Sequence, residues 1–206
     1  MTCRVVTISR SIGAGGEEIG RAVAQELGFR YADEEIIVKA AEKAGVSPEA
    51  VAQVEHTPGL IVRILEAMAR TDPEGWAGPA AQLPSVDRSA YEGLIERVIR
   101  ETANEGSVVI VAHGASVPLA GMTGLLRVLV TASPELRVER VAKRGTVGDA
   151  AAKRTVAESD RQRREYLRRF YGVGRELPTH YDLVVNTDVL TMPLAAKLIA
   201  SAARGE

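Results

Sequence analysis

The stretch Val5-Val6-Thr7-Ile8, continued by Ser9-Arg10-Ser11-Ile12-Gly13-Ala14-Gly15-Gly16-Glu17-Glu18-Ile19, decides the fold of this 206-residue chain. A β-branched apolar run ends in a glycine-rich turn, and apolar residues then recur at helical spacing through Ala22, Val23 and Leu27. This pattern predicts a buried strand, a tight turn and a helix that faces a sheet. In such a unit, free backbone N–H groups and the positive end of the helix favour an anion.

The loop departs from the full phosphate-binding pattern, G-x-x-x-x-G-K-[ST], at three positions. Arg10 stands at the first glycine, Gly16 at the lysine, and Glu17 at the hydroxyl that would meet Mg²⁺. Glu17 and Glu18 also satisfy the helix dipole by themselves and repel a phosphate. Two interpretations therefore stay open at this point: a phosphate-binding loop with altered chemistry, or a tight strand-to-helix connection.

Composition favours one ordinary α/β domain over residues 1–206. Hydrophobic residues make up 46%, charged residues 26% and aromatic residues 4%, and the net charge is −1. We therefore expect neither nucleic acid nor a membrane as partner, and either a monomer or a homodimer. No apolar run approaches membrane-spanning length, the chain starts directly into a strand, and the single Cys3 cannot form an internal disulfide. These features predict a cytoplasmic protein.

The apolar runs predict a parallel sheet covered by helices on both faces. Four runs have the β-branched character of buried strands, and a fifth is shorter. They are Val5 to Ile8, Val108 to Val111, Val128 to Val130, Leu183 to Val185 and, as the short one, Phe29 to Tyr31.

Between the predicted strands, capping signals mark helices. Asp33 has the character of an N-cap for a helix through about Ala44, and Ser47-Pro48 predicts another helix start. Pro73, Gly75, Gly78, Pro79 and Pro84 make the stretch between residues 70 and 88 irregular. We interpret it as a loop inside an insertion.

Basic residues concentrate between residues 137 and 175, where arginine far outnumbers lysine. They are Arg137, Arg140, Lys143, Arg144, Lys153, Arg154, Arg161, Arg163, Arg164, Arg168, Arg169 and Arg175. One interpretation is a long solvated helix with i,i+4 ion pairs. The other is a phosphate-handling arm, and the excess of arginine favours it because guanidinium groups bind phosphate bidentately. The few aromatics and the near-neutral net charge argue against an RNA-binding helix.

Three segments, in this order, resemble the nucleoside monophosphate kinases and most closely the cytidylate kinase-like family. The first is Val6 to Gly20, with Ser-Arg before the loop and Gly-Gly where ordinary kinases have Gly-Lys. The second is Leu129 to Arg137, with the arginines that follow it. The third is Asp160-Arg161-Gln162-Arg163-Arg164-Glu165-Tyr166, which is similar to a D-x-R lid element, followed by Tyr181 to Thr187.

This resemblance implies a three-layer αβα P-loop kinase fold with a central five-stranded parallel sheet. It implies a helical acceptor-binding insertion at about residues 36–100 and a basic helical lid at about 144–175. The implied activity is ATP- and Mg²⁺-dependent phosphoryl transfer to a small molecule, such as CMP or dCMP. A degenerate, non-catalytic nucleotide-binding protein of the same fold is the alternative, because the loop lysine is missing. With no cluster of ligands at metal-binding spacing, we expect no built-in metal site.

The resemblance also assigns roles to individual residues. The donor's phosphates would be bound around the loop, by Ser11, Gly13, Ala14, Gly15, Gly16, Glu17 and Glu18. The donor's base would lie beside the turn after the last strand, next to Asn186 and Thr187. Arg144, Arg161 and Arg163 would close over the transferring phosphoryl group, and Arg10 is the candidate substitute for the lysine.

Acceptor contacts are implied for Asp33, His113, Asp160 and Arg163. His113 stands where the family has arginine in a Gly-Arg-Gly motif, and near pH 7 its imidazole is mostly neutral. A hydrogen bond at a strand end is the other interpretation of this histidine.

Overall fold

The computed structural model describes residues 2–44, 88–112, 114–145 and 148–206. Its elements are β1 (Val5–Arg10), α1 (Gly16–Leu27), β2 (Arg30–Ala32), α2 (Glu34–Ala44), α3 (Arg88–Glu105), β3 (Val108–Val111), β4 (Leu125–Thr131), α4 (Pro134–Gly145), α5 (Asp149–Tyr171), a 3₁₀ turn (Pro178–His180), β5 (Leu183–Asn186) and α6 (Met192–Arg204). The predicted helix start at Ser47-Pro48, nearly all of the irregular stretch up to residue 88, and His113 lie outside the described residues.

The five strands form one parallel sheet in the order β2-β3-β1-β4-β5, as the apolar runs predicted. β1 lies in the middle, with Val6 beside Val109 of β3 and Leu126 of β4. Because all strands are parallel, their carboxyl ends lie at one edge of the sheet. The glycine-rich loop leaves the sheet at this edge, directly after the central strand.

β4 begins at Leu125, three residues before the predicted start at Val128. Arg127 interrupts the apolar run, so the sequence pattern hides the beginning of the strand. Its guanidinium pairs with Asp182, next to β5, with 2.7 Å between Nη2 and Oδ1. A polar residue is accommodated here because an ion pair replaces apolar packing.

One face of the sheet packs against α1 and α6. Ile19 and Val23 of α1 and Ile199 of α6 are fully buried in one cluster with strand residues such as Val6 and Ile8. The approach of α1 to the sheet is close, since a β-carbon at Gly20 would lie 2.6 Å from Cγ2 of Val111. The central five-stranded parallel sheet with helices is therefore confirmed.

Contacts within the chain define two compact units. The first, residues 1–33 and 99–206, contains the whole sheet, and the second comprises residues 34–98. Within the second unit, Ile36, Ala40 and Ile95 are buried. The division of the chain into one domain with an insertion and a lid stays a prediction. Among the helices in the described ranges, none has both the length and the apolar character needed to span a bilayer.

Candidate phosphate-binding site

The glycine-rich turn leaves the first N–H groups of α1 free of helical partners. Gly13 and Gly15 adopt positive φ values of 78° and 84°, in the left-handed region that favours glycine. Gly15 is the N-cap of α1 and offers no side-chain acceptor. The amide of Ile19 donates to the Gly15 carbonyl at 3.0 Å, so the amides of Gly16, Glu17 and the residue after it precede the intrahelical ladder. An anion is the ligand that such a helix start favours.

A cavity of about 590 Å³ lies over this turn. The loop and the first turn of α1 form one wall, the end of α4 contributes Arg140 and Arg144, and Met192 at the start of α6 completes the described lining. All these residues belong to the unit that contains the sheet. The positive end of α1 therefore opens into a space large enough for the phosphates of a nucleotide.

Close packing explains the glycines of this turn. A β-carbon at Gly13 would lie 2.7 Å from the main-chain oxygen of Arg137, and one at Gly16 would lie 2.5 Å from Cβ of Arg10. Both distances are too short for any side chain. On this backbone, a lysine at position 16 would therefore clash with the β-carbon of Arg10.

Glu17 lies between two arginines at this cavity. Its Oε1 atom is 2.7 Å from Nη2 of Arg10, and its Oε2 atom is 4.0 Å from Nη1 of Arg144. Arg144 is 85% exposed, whereas Arg10 is 26% exposed. The Nε atom of Arg10 is buried and has no hydrogen-bond partner in the part of the chain that the structure describes. Arg10, the predicted substitute for the lysine, is therefore paired with a carboxylate of the helix that follows the loop.

Arg140 is a site residue that the sequence prediction did not select. Its Nη1 atom donates to Oγ1 of Thr187 at 2.9 Å and approaches the carbonyl of Gly13 at 3.3 Å. Thr187 is 1% exposed and also donates to the carbonyl of Ala14 at 2.9 Å. A sequence signal existed, because Arg137, Arg140 and Arg144 are three and four residues apart and so share one face of a helix.

Two predicted acceptor-binding residues connect α5 to other elements of the same unit. Asp160 accepts from both terminal nitrogens of the buried Arg137, at 2.9 and 2.7 Å. Arg163 donates to Oγ of Ser9 at 3.0 Å and pairs with Glu176 at 2.6 Å. Their implied contacts with an acceptor stay predictions.

Three further predicted residues, Arg161, Asp33 and Asn186, are not among those that line the cavity. Arg161 is 58% exposed and pairs along α5 with Glu158 at 2.7 Å. Asp33 follows β2 and accepts from the hydroxyl of Tyr31 at 3.2 Å, and burial together with this carboxylate raises the pKa of Tyr31 to about 12. Oδ1 of Asn186 accepts from the amide of a turn residue, Asp188, at 2.8 Å. The roles implied for these residues stay predictions.

The strand order, the glycine loop after the central strand and the cavity over it define a P-loop kinase fold. Two solved structures share it. An uncharacterized protein from Eubacterium ventriosum aligns with a TM-score of 0.69 at 15% identity, over 98% of this chain and 99% of that one. Shikimate kinase from Acinetobacter baumannii aligns with a TM-score of 0.51 at 13% identity, over 98% and 93%. At such identities the likeness shows the fold alone.

The model of the cytidylate kinase-like family matches residues 5–189, and this chain belongs to that family. The cytidylate kinase of Ignicoccus hospitalis is 28% identical over 190 residues, covering 90% of this chain and 91% of the relative. That of Pyrococcus horikoshii is 25% identical over 183 residues, covering 89% and 79%. The predicted family is confirmed, and family and fold support a kinase that acts on a nucleotide or another small molecule.

Proposed function

We propose that this protein is a cytoplasmic nucleoside monophosphate kinase, which transfers the γ-phosphoryl group of ATP to CMP or dCMP. A bond forms between the acceptor's phosphate oxygen and the γ-phosphorus, the bond to the β-phosphate oxygen breaks, and ADP and a nucleoside diphosphate leave. The observation that carries the proposal is the cavity over an uncapped helix start, with Gly13 and Gly15 in the conformation that turns a loop around an anion.

Arginines around the cavity suit the transfer step. Phosphoryl transfer depends on positioning and on neutralising the charge of the equatorial oxygens. Of the described residues that line the cavity, Arg10, Arg140 and Arg144 carry positive charge. Arg144 is 85% exposed, more than Arg10 or Glu17, so its side chain can reorient towards a phosphoryl group. Arg10 is partly buried and lines the cavity, which suits a substitute for the loop lysine.

The acidic residues of the first helical turn fit a magnesium ion bound together with a nucleotide. Mg²⁺ in kinases keeps several waters and is held by one or two carboxylates and by the substrate's phosphates. Glu17 and Glu18 both line the cavity, and they would hold the ion. When bound, Mg²⁺ would neutralise charge on the phosphate oxygens. Within the described residues no three potential ligands lie together, so the nucleotide itself would complete the site.

A second candidate function is nucleotide binding without turnover. The pair between Arg10 and Glu17, at 2.7 Å, favours it, because a cation engaged by a carboxylate is less available to a phosphate. Loss of one well-placed charge-stabilising donor reduces turnover by roughly 10²- to 10³-fold. Such a loss would leave a protein that holds ATP and signals by doing so.

A coupled ADP-release assay with CMP, dCMP, UMP, AMP and shikimate tests the proposal. We expect turnover with CMP or dCMP and a low rate with shikimate. ATP at a hundredfold over its Kd should also add about 2.7 kcal/mol to the free energy of unfolding. Stabilisation by ATP without turnover of any acceptor would support the second candidate. Neither stabilisation nor turnover would reject both functions.

Matched variants on α4 connect the activity to this cavity. Arg144→Ala removes a lining guanidinium, and we expect kcat to fall by roughly 10²-fold, as for a single charge-stabilising donor. Lys143→Ala removes the neighbouring positive charge, which is 74% exposed and pairs with Glu139 along the helix. We expect the lysine variant to keep wild-type kcat. Equal losses in both variants would show that only the net charge of α4 matters.

A further inference from the structure

The hydroxyl of Thr187 forms a hydrogen bond with the glycine loop. The side chain is buried at the end of β5, and its Oγ1 atom lies 2.9 Å from the carbonyl oxygen of Ala14. The same oxygen lies 2.9 Å from Nη1 of Arg140. A hydroxyl has one proton and two lone pairs, so it accepts from the guanidinium and donates to one carbonyl. The carbonyl of Ala14, at 2.9 Å, is nearer than that of Thr131, at 3.3 Å, and is the better acceptor. No donor is then left on this side chain for another ligand.

Arg140 reinforces the same connection. Its Nη2 atom donates to the main-chain carbonyl of Thr187 at 2.8 Å, and its Nη1 atom lies 3.3 Å from the carbonyl of Gly13. Two consecutive carbonyls of the loop, those of Gly13 and Ala14, are therefore held from outside the loop. The hydrogen bonds come from the end of β5 and from α4, which are more than 120 residues away in sequence.

Holding these carbonyls fixes the direction of the loop amides. A peptide unit is planar, so its C=O and the following N–H point in opposite directions. The N–H of Gly15 must then point away from Thr187, and Gly15 lines the cavity. The N–H of Ala14 is already used within the turn, where it donates to the Ser11 carbonyl at 3.1 Å.

We infer that Thr187 and Arg140 are positioning residues for polyphosphate: they hold the Gly13 and Ala14 carbonyls, and through the Ala14–Gly15 peptide they turn the N–H of Gly15 towards the ligand's phosphates. The inference rests on the proposed function and refines it. Family resemblance places Thr187 beside the donor's base, whereas the hydrogen bonds assign its side chain to the phosphate end of the site. Removal of the hydroxyl should therefore weaken phosphate binding and leave base selectivity unchanged.

Calorimetric titration with inorganic tripolyphosphate, ATP and GTP separates these roles. Thr187→Val keeps the volume of the side chain and removes the hydroxyl. We expect this variant to bind all three ligands more weakly by the same factor, roughly tenfold or more, as for loss of one hydrogen bond to a charged group. Thr187→Ser restores the hydroxyl and should recover affinity close to that of the wild type.

Thr102→Val is the matched control. Thr102 is a fully buried threonine on α3 whose hydroxyl has no partner among the described residues and which does not line the cavity. We expect wild-type affinity for tripolyphosphate in this variant. The free energy of unfolding of each variant, measured by urea titration without ligand, shows whether binding changes merely follow stability. All titrations are done well below the melting temperatures.

Four outcomes would overturn the inference. Wild-type tripolyphosphate affinity in Thr187→Val would show that the hydroxyl does not position the loop. A changed ratio of ATP to GTP affinity with unchanged tripolyphosphate affinity would show a base contact instead. Binding of ATP but not tripolyphosphate by the wild type would show that the loop amides contribute little. Failure of the wild type to bind any of the three ligands would reject the proposed function as well.

Discussion

Substitution of Glu17 by glutamine tests how the loop works without a lysine. The carboxylate lies 2.7 Å from Nη2 of Arg10 and 4.0 Å from Nη1 of Arg144. It therefore competes directly with a phosphate for the two arginines. Glutamine keeps the length of the side chain and removes its charge. In the absence of a divalent cation, we expect Glu17→Gln to bind polyphosphate more tightly than the wild type.

The expected gain follows from the exposure of the pair. The side chains of Arg10 and Glu17 are 26% and 32% exposed, so solvent screens their attraction substantially. Ion pairs of this kind contribute about 1 kcal/mol. A ligand that no longer has to break this pair should therefore bind about fivefold more tightly. Arg144, at 4.0 Å and largely exposed, contributes less to this difference.

Titration of tripolyphosphate in EDTA at low ionic strength measures this gain. Glu18→Gln is the control, because it removes the same charge from the same helical turn. Glu18 is exposed, lines the cavity, and forms no ion pair with any residue in the described ranges. We expect a smaller gain in the control, since only the general repulsion at the helix start is relieved. Raising the salt concentration should reduce both gains.

Equal or weaker binding by Glu17→Gln in EDTA would refute this account of the loop. It would mean that the carboxylate holds Arg10 in a productive position instead of competing for it. Repetition of the titration with Mg²⁺ separates a further role. If Glu17 and Glu18 hold the metal ion, the gains of both variants should shrink or reverse when Mg²⁺ is present.

Two further substitutions test the packing of the loop and the pairing of the sheet. Gly16→Lys should lower the melting temperature and should not raise kcat above that of the wild type, because its β-carbon would lie 2.5 Å from that of Arg10. A higher kcat in the variant would contradict this steric argument. Hydrogen bonds from Arg127 lower the pKa of Asp182. This pair therefore stabilises the fold above the unfolded-state pKa of about 3.9, and the contribution is lost as the pH falls through the lower folded-state pKa. Urea titrations should show a lower free energy of unfolding for Asp182→Asn than for the wild type at pH 7, by under about 1 kcal/mol. This difference should narrow towards pH 2, and a difference independent of pH would contradict the argument.

The elements of the sheet could be predicted because their signals are local. Val5 to Ile8 and Val108 to Val111 are unbroken β-branched runs, and both are strands. The start of β4 could not be found in this way. Arg127 looks like the end of an apolar run, and the partner that makes it acceptable in a strand, Asp182, lies 55 residues further along the chain.

Which residues pair at the site depends on how the helices pack, and this packing cannot be inferred from local patterns in one sequence. The glycines and the arginine of the loop could be selected from local pattern, but the pairing of Arg10 with Glu17 could not. Asp160 was selected for its motif, whereas the structure pairs it with Arg137, on a different helix. Spacing places residues on a face of a helix but does not specify what that face contacts.

Side chains at positions 10 and 16 would compete for the same space, and this conflict constrains the sequence of the loop. In the ordinary pattern the first glycine has no side chain, and the lysine at the helix start has room next to it. Here the β-carbons of Arg10 and of any side chain at position 16 would be 2.5 Å apart, so this backbone has no room for side chains at both positions. We therefore propose that Arg10, at the strand end, supplies the positive charge that the missing lysine would have supplied at the helix start.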